Sequence, residues 1–202
     1  MTRPSADATR ERILIAALDL FADLSFEGAT TREIAARAGV SQPSLNYHFR
    51  SKEVLWRAAV DGLFARLNAA LLGRMDGLRG VDPVTTAKLV IRDFIAFSAA
   101  NPQLHRIITQ ESKADGARID WLVDEHVRPL YELTTTMFEG LVEQGAVADI
   151  PAPHLYYLLT GAGPTIFVHA PECRRLAGFD PCGPEAVETH ADAVITLLFG
   201  RD

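Results

Sequence analysis

The 202-residue chain has little cysteine and no long apolar run. Its two cysteines, Cys173 and Cys182, lie in one stretch rich in proline and glycine, and their spacing matches no zinc motif. We therefore expect free thiols, no metal site and no cofactor. The longest apolar stretch, residues 155–168, contains glycine and proline and is shorter than the roughly 20 residues of a membrane helix. Because the N-terminal segment MTRPSADATRER is too polar for a signal peptide, we expect a soluble, cytoplasmic protein without membrane contact.

Positive charge is also scarce, since the formal net charge is −6. This balance argues against a protein that coats nucleic acid by charge alone. The charge is uneven, however, because residues 1–60 contain eight basic and seven acidic residues while the rest is strongly acidic. The pattern predicts one docking face near the N-terminus and a body that is held away from DNA.

Sequence motifs of enzymes are absent as well. We find no nucleophile elbow, phosphate-binding loop, HExxH motif or carboxylate pair in a plausible cleft. No segment alternates like a β-strand, and apolar residues, 48% of the chain, recur at helical spacing. The sequence therefore predicts a non-enzymatic, all-α protein of about nine helices.

Residues 30–49, TTREIAARAGVSQPSLNYHF, contain signals for two short helices joined by a tight turn. Thr30 and Glu33 fit a capping box at the start of the first helix. Gly39 can adopt the positive φ that ends it. Ser41 can cap the second helix, and Pro43 fits its first turn because no N–H is needed there. This order predicts a helix-turn-helix that docks on double-stranded DNA.

The second short helix is predicted to present a polar face to DNA. Gln42 can pair with adenine and Pro43 can pack on a thymine methyl group, whereas Lys52 and several neighbours can donate to phosphates. The alternative interpretation is a small exposed helix with a solvated polar face. The full set of candidate DNA contacts is Thr31, Arg32, Ser41, Gln42, Pro43, Ser44, Asn46, Tyr47, His48 and Lys52.

Residues 9–57 closely resemble the TetR family of one-component transcriptional regulators, including RERILIAALDLFADLSFEGAT, the helix-turn-helix and SKEVLW. One departure is Asn46, where many members have tyrosine, although the neighbouring Tyr47 is kept. The resemblance implies a repressor that binds a palindromic operator as a homodimer and is released by a small-molecule effector. The alternative is a helical DNA-binding or scaffolding protein that responds to a partner protein and takes no inducer.

Two domains are predicted, a DNA-binding domain at residues 1–50 and a ligand-binding and dimerisation domain at residues 51–202. A helix over residues 51–73, capped by Ser51, should connect them. It is the only long rigid element that the sequence offers for carrying motion between the domains. Further along, we predict one long helix over residues 117–143 that is kinked at Pro129, and a loop over residues 170–184.

Polar residues on otherwise apolar helix faces are our candidates for effector binding, together with bulky apolar neighbours as cavity walls. For each residue taken alone, the alternative interpretation, a purely structural role, is favoured. The candidates are Phe97, Glu111, Trp121, His126, Tyr131, Thr134, Met137, Phe138 and Thr165.

The last two long helices are predicted to form the dimer interface, as a four-helix contact across a two-fold axis. A monomer of this size should not leave such apolar stripes exposed; the alternative is that the same residues fill the core. The predicted interface residues are Tyr156, Gly163, Phe167, Val187, Ala191, Val194 and Leu198.

Overall fold

A computed structural model describes residues 6–200, and within this range the chain forms ten helices and no strand. The predicted all-α class is therefore confirmed. The helices are α1 Ala6–Gly28, α2 Thr31–Arg37, α3 Gln42–His48, α4 Lys52–Gly77, α5 Pro83–Ala100, α6 Gln103–Glu111, α7 over residues 117–143, α8 Ala152–Val168, α9 Ala170–Ala177 and α10 Pro184–Phe199. None of these described helices is long and apolar enough to cross a membrane.

The predicted helix starts are confirmed by their caps. The Glu33 N–H donates to Thr30 Oγ1 over 3.2 Å, and the Thr30 N–H donates to Glu33 Oε2 over 3.1 Å, which completes the capping box. The side chains of Ser41 and Ser51 accept from amides three residues later in the same way. Each cap satisfies a main-chain donor that the first helical turn leaves without a partner. These local contacts fix where α2, α3 and α4 begin.

Helix α4 extends one turn beyond the predicted end at Gly73 and stops at Gly77. Gly73 has room for a Cβ atom and does not adopt a positive φ, so nothing ends the helix there. The turn is held from outside, because Arg74 Nη2 donates to Asp93 Oδ1 of α5 over 2.9 Å. Tertiary packing therefore outweighs the weak helix propensity of glycine at this point.

The predicted kink at Pro129 takes the form of a widened turn. Helix α7 consists of α-helical Ala117–Leu122, π-helical Val123–Val127 and α-helical Arg128–Glu143. The Arg128 N–H donates to Val123 O, five residues back, instead of to the fourth. Proline lacks the next N–H, so the ladder is already interrupted here. The π-helical segment places His126 and Val127 against the interior of the body.

The loop predicted over residues 170–184 is wrong in its first half, because Ala170–Ala177 forms α9. Pro171 lies in the first turn, where a missing N–H has no cost, and good helix formers follow it. Gly178, with φ +76°, ends the helix. Only residues 178–183 form a loop.

Two apolar cores organise the chain. The first lies under the N-terminal helices and includes Phe21, Ile34 and Trp56, but it also takes in Leu104 and Leu122 from α6 and α7. The N-terminal helices therefore pack directly on the body. The second core lies between α5, α7, α8 and α10.

Most residues of the predicted dimer interface belong to this second core within one protomer, whereas the choice of the two helices stays a prediction. Tyr156 and Val187 are partly buried, Tyr156 in a cavity wall and Val187 against the core. A Cβ atom on Gly163 would lie 3.5 Å from the ring of Phe94. The other four predicted residues are at most 5% exposed within a single protomer: Phe167, Ala191, Val194 and Leu198.

Candidate DNA interface and interior cavity

The turn between α2 and α3 has the geometry that the sequence predicts. Gly39 has φ +64°, and the Val40 N–H donates to Ala35 O over 3.0 Å. Ala35 and Leu45 are buried, so α2 and α3 cross closely and are anchored from below. This arrangement fixes the outer face of α3.

All ten candidate DNA contacts keep some exposed surface. Tyr47 is the most prominent, with 84% of its surface exposed, and its ring meets His48 edge to face at 5.3 Å. Arg32 of α2 is exposed beside this face, as are Pro43 and Asn46 of α3. A short helix with such an exposed row is suited to a DNA groove. The individual contacts stay predictions.

Gln42 is held in place by its neighbours. Its Nε2 donates to Thr31 Oγ1 over 3.0 Å and to Asn46 Oδ1 over 3.4 Å. Its Oε1 is buried and has no hydrogen-bond partner among the described residues. The side chain therefore spans α2 and α3, and Asn46, the departure from the family pattern, helps to orient the amide.

Lys52 has a structural role that the sequence did not reveal. Its Nζ donates to Ala29 O over 2.9 Å, lies 3.4 Å from Glu27 O, and sits 4.5 Å from the ring centre of Phe26. These contacts tie the start of α4 to the connection between α1 and α2. An ammonium group has three N–H donors, and the two carbonyl contacts leave the third for a phosphate. That phosphate contact stays a prediction.

The body contains a cavity of about 620 Å³ that lies between α4, α5, α6, α7 and α8 and opens to solvent on one side. Its volume is in the range of small-molecule sites, and its walls are mostly apolar. Polar atoms come from a few side chains at separate points of the wall. The polar lining residues are His105, Thr109, Ser112, Arg128, Tyr131, Thr134, Tyr156, Tyr157 and Thr160.

Three of the nine predicted effector residues, Tyr131, Thr134 and Met137, line this cavity. The other six do not. Phe138 is fully buried in the second core, and Phe97 packs against the first. The prediction that these two form cavity walls is corrected, because an apolar stripe does not show which of its residues borders a void.

The remaining four predicted effector residues have partners elsewhere. Trp121 packs 5.3 Å from Trp56, while His126 Nε2 lies 2.9 Å from Asp61 Oδ1. Glu111 accepts from Arg118 over 2.9 Å, and the Thr165 hydroxyl donates to the carbonyl of Gly161. The polar groups of Glu111, His126 and Thr165 have partners at a helix–helix contact or within their own helix, and none of the four residues lines the cavity, so their effector role stays a prediction without support from the cavity.

His105 is the cavity residue whose surroundings are most specific, and sequence reasoning did not select it. Burial lowers its pKa to about 4, so the imidazole is neutral near pH 7. Its Nε2 lies 3.1 Å from Ser98 Oγ, and Ser98 Oγ donates to Phe94 O over 2.8 Å. The only signal in the sequence was a histidine inside the apolar run Leu104–Ile108.

A polar seam joins α1 to the body along the outer side of α6. Gln103 Nε2 donates to Asp19 Oδ1 over 2.8 Å, and Arg106 Nη1 donates to Asp23 Oδ1 over 2.9 Å. Gln110 Nε2 donates to Ala22 O over 2.8 Å. The seam consists of these three contacts, and sequence reasoning missed it because the partners lie more than 80 residues apart.

Cys173 and Cys182 are free thiols, and burial raises the pKa of Cys182. Across residues 6–200, no group of three or more His, Cys, Asp or Glu side chains is placed to hold a metal ion.

Comparisons of the sequence and of the fold with known proteins both find bacterial transcriptional regulators. Residues 13–59 match the family of bacterial regulatory proteins described as the tetR family. The HTH-type transcriptional regulator RutR of Escherichia coli K12 is 29% identical over 177 residues, covering 86% of this chain and 81% of RutR. A tetracycline repressor of class A from Escherichia coli is 39% identical over 64 residues, covering 32% of this chain and 30% of the repressor.

The fold extends the similarity to the whole chain. The crystal structure of AibR with isovaleryl coenzyme A and operator DNA has a TM-score of 0.75, covering 96% of this chain and all of AibR at 20% identity. The capped helix-turn-helix, the match over residues 13–59, the similarity to RutR and the shared fold lead to one conclusion. The N-terminal helices of this chain form a helix-turn-helix domain of the TetR family, and the described chain as a whole has the fold of TetR-like transcriptional regulators.

Proposed function

We propose that the protein is a dimeric repressor that binds a palindromic operator and releases it when a small molecule occupies the 620 Å³ cavity. The observation that carries the proposal is the position of α6. One side of this helix lines the cavity, and another side holds α1 of the DNA-binding domain.

The two sides of α6 use different residues. Leu104, His105 and Ile108 border the cavity. Gln103 and Arg106 form part of the polar seam with α1. Because α6 has only nine residues, displacement of its cavity side by a ligand would also displace the seam.

Helix α4 provides a second connection. Its first turns contribute Leu55 and Trp56 to the core of the DNA-binding domain, and further along Phe64, Leu67 and Leu71 border the cavity. The sequence predicts α4 as the only long connecting element, and the contacts of α6 support it as a second, shorter connection.

Release then follows from linkage. A ligand shifts an equilibrium only as far as it binds one conformation better than the other. Couplings of about 1–3 kcal/mol are typical, and they correspond to 5- to 150-fold changes in affinity. The ligand must therefore favour an arrangement of α6 and α4 in which the two reading helices of the dimer miss their half-sites.

For the dimer we revise the interface to the exposed sides of the same two helices. On α8, Leu158, Gly161 and Thr165 are exposed, and on α10, Ala193 and Leu197 are exposed. The helices touch each other, since His190 Nε2 lies 2.9 Å from Gly163 O. A two-fold axis beside them would bury these small and apolar side chains against the same surface of a second copy.

A specific observation separates this proposal from control by a partner protein. A regulator without an inducer needs no apolar cavity in its body, and helices that pack closely normally leave no large gap between them. A cavity of about 620 Å³ therefore favours a small-molecule effector. In addition, the fold neighbour AibR has been crystallised with a coenzyme A ester and with operator DNA together.

The test begins with selection of operator duplexes from a random pool and a thermal-shift screen of small molecules. Operator affinity is then measured by fluorescence anisotropy with a hit at saturation. Ile108→Trp, which fills the cavity, serves as the control because it should abolish ligand binding. We expect at least a fivefold loss of operator affinity that Ile108→Trp no longer shows. Unchanged affinity with a cavity-bound ligand would contradict the proposal.

A further inference from the structure

We propose that the cavity takes an uncharged, mainly apolar small molecule whose hydroxyl or N–H group donates a hydrogen bond to Nδ1 of His105. This inference rests on the proposed function, because it names the chemical class of the effector for that cavity. It is carried by the charges of the cavity wall and by the hydrogen bonds that fix the His105 ring.

The wall offers no partner for a buried anion. Arg128 is the one charged residue among those that line the cavity. Its side chain is 55% exposed, and Arg128 Nη2 donates to Asp124 Oδ1 over 2.7 Å. The guanidinium is therefore at the mouth and is already neutralised. A carboxylate or phosphate placed deeper would be buried without a counter-charge, which is strongly unfavourable.

The His105 ring is held in one tautomer. A neutral imidazole has one donor nitrogen and one acceptor nitrogen. The single Ser98 hydroxyl hydrogen is used in the shorter contact, the 2.8 Å bond to Phe94 O. Ser98 Oγ therefore accepts from His105 Nε2–H over 3.1 Å, which leaves Nδ1 without a hydrogen.

Nδ1 is then an acceptor that faces no protein donor. Within residues 6–200, Ser98 is the hydrogen-bond partner of this ring, and it engages Nε2. His105 lines the cavity, and the ring of Phe94 meets it edge to face at 5.7 Å. Because burial keeps His105 neutral near pH 7, the ring cannot donate through Nδ1. A ligand donor is the group that this nitrogen can recognise.

The apolar part of the ligand is expected to lie against the walls from α4, α5 and α7. Leu67, Leu71, Val90 and Met137 are among the residues that provide them. The donor end would contact α6, the helix that also carries the seam to α1. Recognition of the polar group and displacement of the DNA-binding domain would thus depend on the same short helix.

The experiment compares three probes of similar length by isothermal titration calorimetry: decanol, methyl nonyl ether and decanoate. Decanol has a donor, the ether has only an acceptor, and decanoate is an anion. We expect decanol to bind about fivefold more tightly than the ether, the size of one neutral hydrogen bond, and at least tenfold more tightly than decanoate. A different order of the three affinities in the wild-type protein would by itself overturn the inference.

Two variants assign the difference to a residue. His105→Phe keeps an aromatic ring but removes the acceptor, so decanol and the ether should bind equally. Thr134→Val removes another cavity hydroxyl at similar volume and should preserve the preference for decanol. Circular dichroism and thermal melts establish that both variants are folded.

Several results would overturn the inference. These are tightest binding of decanoate, equal binding of decanol and the ether by the wild type, binding of none of the probes, or loss of the preference in Thr134→Val instead of His105→Phe. Failure of the proposed function looks different. In that case decanol binds in a His105-dependent manner, but operator affinity stays the same.

Discussion

At the scale of single residues, we expect DNA recognition by α2 and α3 to depend on a few side chains with different roles. Gln42 is held across α2 and α3 by Thr31 and Asn46, which positions its amide. Arg32 is exposed on α2 beside it. An amide at this position can read a base edge when it leaves these contacts, whereas a flexible guanidinium is suited to the phosphate backbone.

We therefore expect Gln42→Ala and Arg32→Ala to weaken DNA binding in different ways. Gln42→Ala should cost about 1–3 kcal/mol on the selected operator and relax the preference at one or two positions. Arg32→Ala should weaken all duplexes alike and reduce the salt slope by about one. Anisotropy titrations at several salt concentrations, on operator and random duplexes, distinguish the two. Equal effects of both variants on both duplexes would contradict these roles.

Gly39 is required by its backbone conformation. At φ +64° a side chain costs about 1–2 kcal/mol, and a β-branched one costs more. Gly39→Val should therefore disable operator binding while the dimer persists. The matched control is Gly73→Ala, in an open helical position, which should leave DNA binding unchanged and raise stability by about 0.5–1 kcal/mol. Normal operator binding by Gly39→Val would mean that the turn is placed wrongly.

His105 should make the stability of the protein depend on pH. Its pKa is about 4 in the folded chain, below the ordinary value of 6.5, so between these values the unfolded chain binds more protons. Stability should therefore fall as pH falls from about 6.5 to about 4. Urea unfolding across this range should show a flatter profile for His105→Phe than for His154→Phe, which alters an exposed histidine. Identical profiles for the two variants would contradict the buried, neutral state.

At the scale of helices, local signals were predictable and long-range ones were not. The starts of α2, α3 and α4 followed from capping residues because the cap and its amide lie three residues apart. The helix end predicted at Gly73 and the loop predicted over residues 170–177 were wrong, since composition alone does not show whether a glycine or proline interrupts a helix. Packing against α5 continues α4 past Gly73. Pro171 is tolerated because it lies in the first turn of α9.

Most predicted effector residues lie outside the cavity for a related reason. His126 and Glu111 stand out as polar residues on apolar helices, yet Asp61 and Arg118 satisfy them at helix contacts. The apolar stripes of α8 and α10 were identified correctly as buried, but they pack within the protomer. Apolar periodicity shows that a helix face is buried, but it does not show whether the same protomer or a second copy covers it.

The seam between α1 and α6 leads to a prediction at this scale. Arg106→Met removes the bond to Asp23 and keeps the length of the side chain. We expect ligand affinity to be unchanged, while the ratio of operator affinities without and with ligand should fall severalfold. The control is Arg79→Met, which breaks an exposed pair with Asp76 at the far end of α4. A ratio unchanged by Arg106→Met would remove the seam from the mechanism.

At the scale of the whole molecule, the N-terminal helices and the helical body share one apolar core and are joined by α4 and α6. The predicted boundary near residue 50 is therefore crossed by side-chain packing, and its functional meaning stays a prediction. The acidic body and near-neutral head fit a protein that touches DNA only through α2, α3 and their surroundings. Two such heads are needed to read both half-sites of a palindrome.

Dimerisation through α8 and α10 can be tested with one charged substitution. Leu197 is 65% exposed on α10, and a buried glutamate at a two-fold axis would face its own copy. Leu197→Glu should give monomers in sedimentation experiments and lose operator affinity. Leu72→Glu, at a 50% exposed position on α4, is the control and should remain dimeric. A dimeric Leu197→Glu variant would place the interface elsewhere.

The most direct test of the central claim is calorimetric titration of the effector into the free protein and into the protein–operator complex. Linkage requires that the ligand weakens operator binding by the same factor by which operator weakens ligand binding. We predict at least fivefold weaker ligand binding to the complex. Equal affinities for the free and the operator-bound protein would contradict the account.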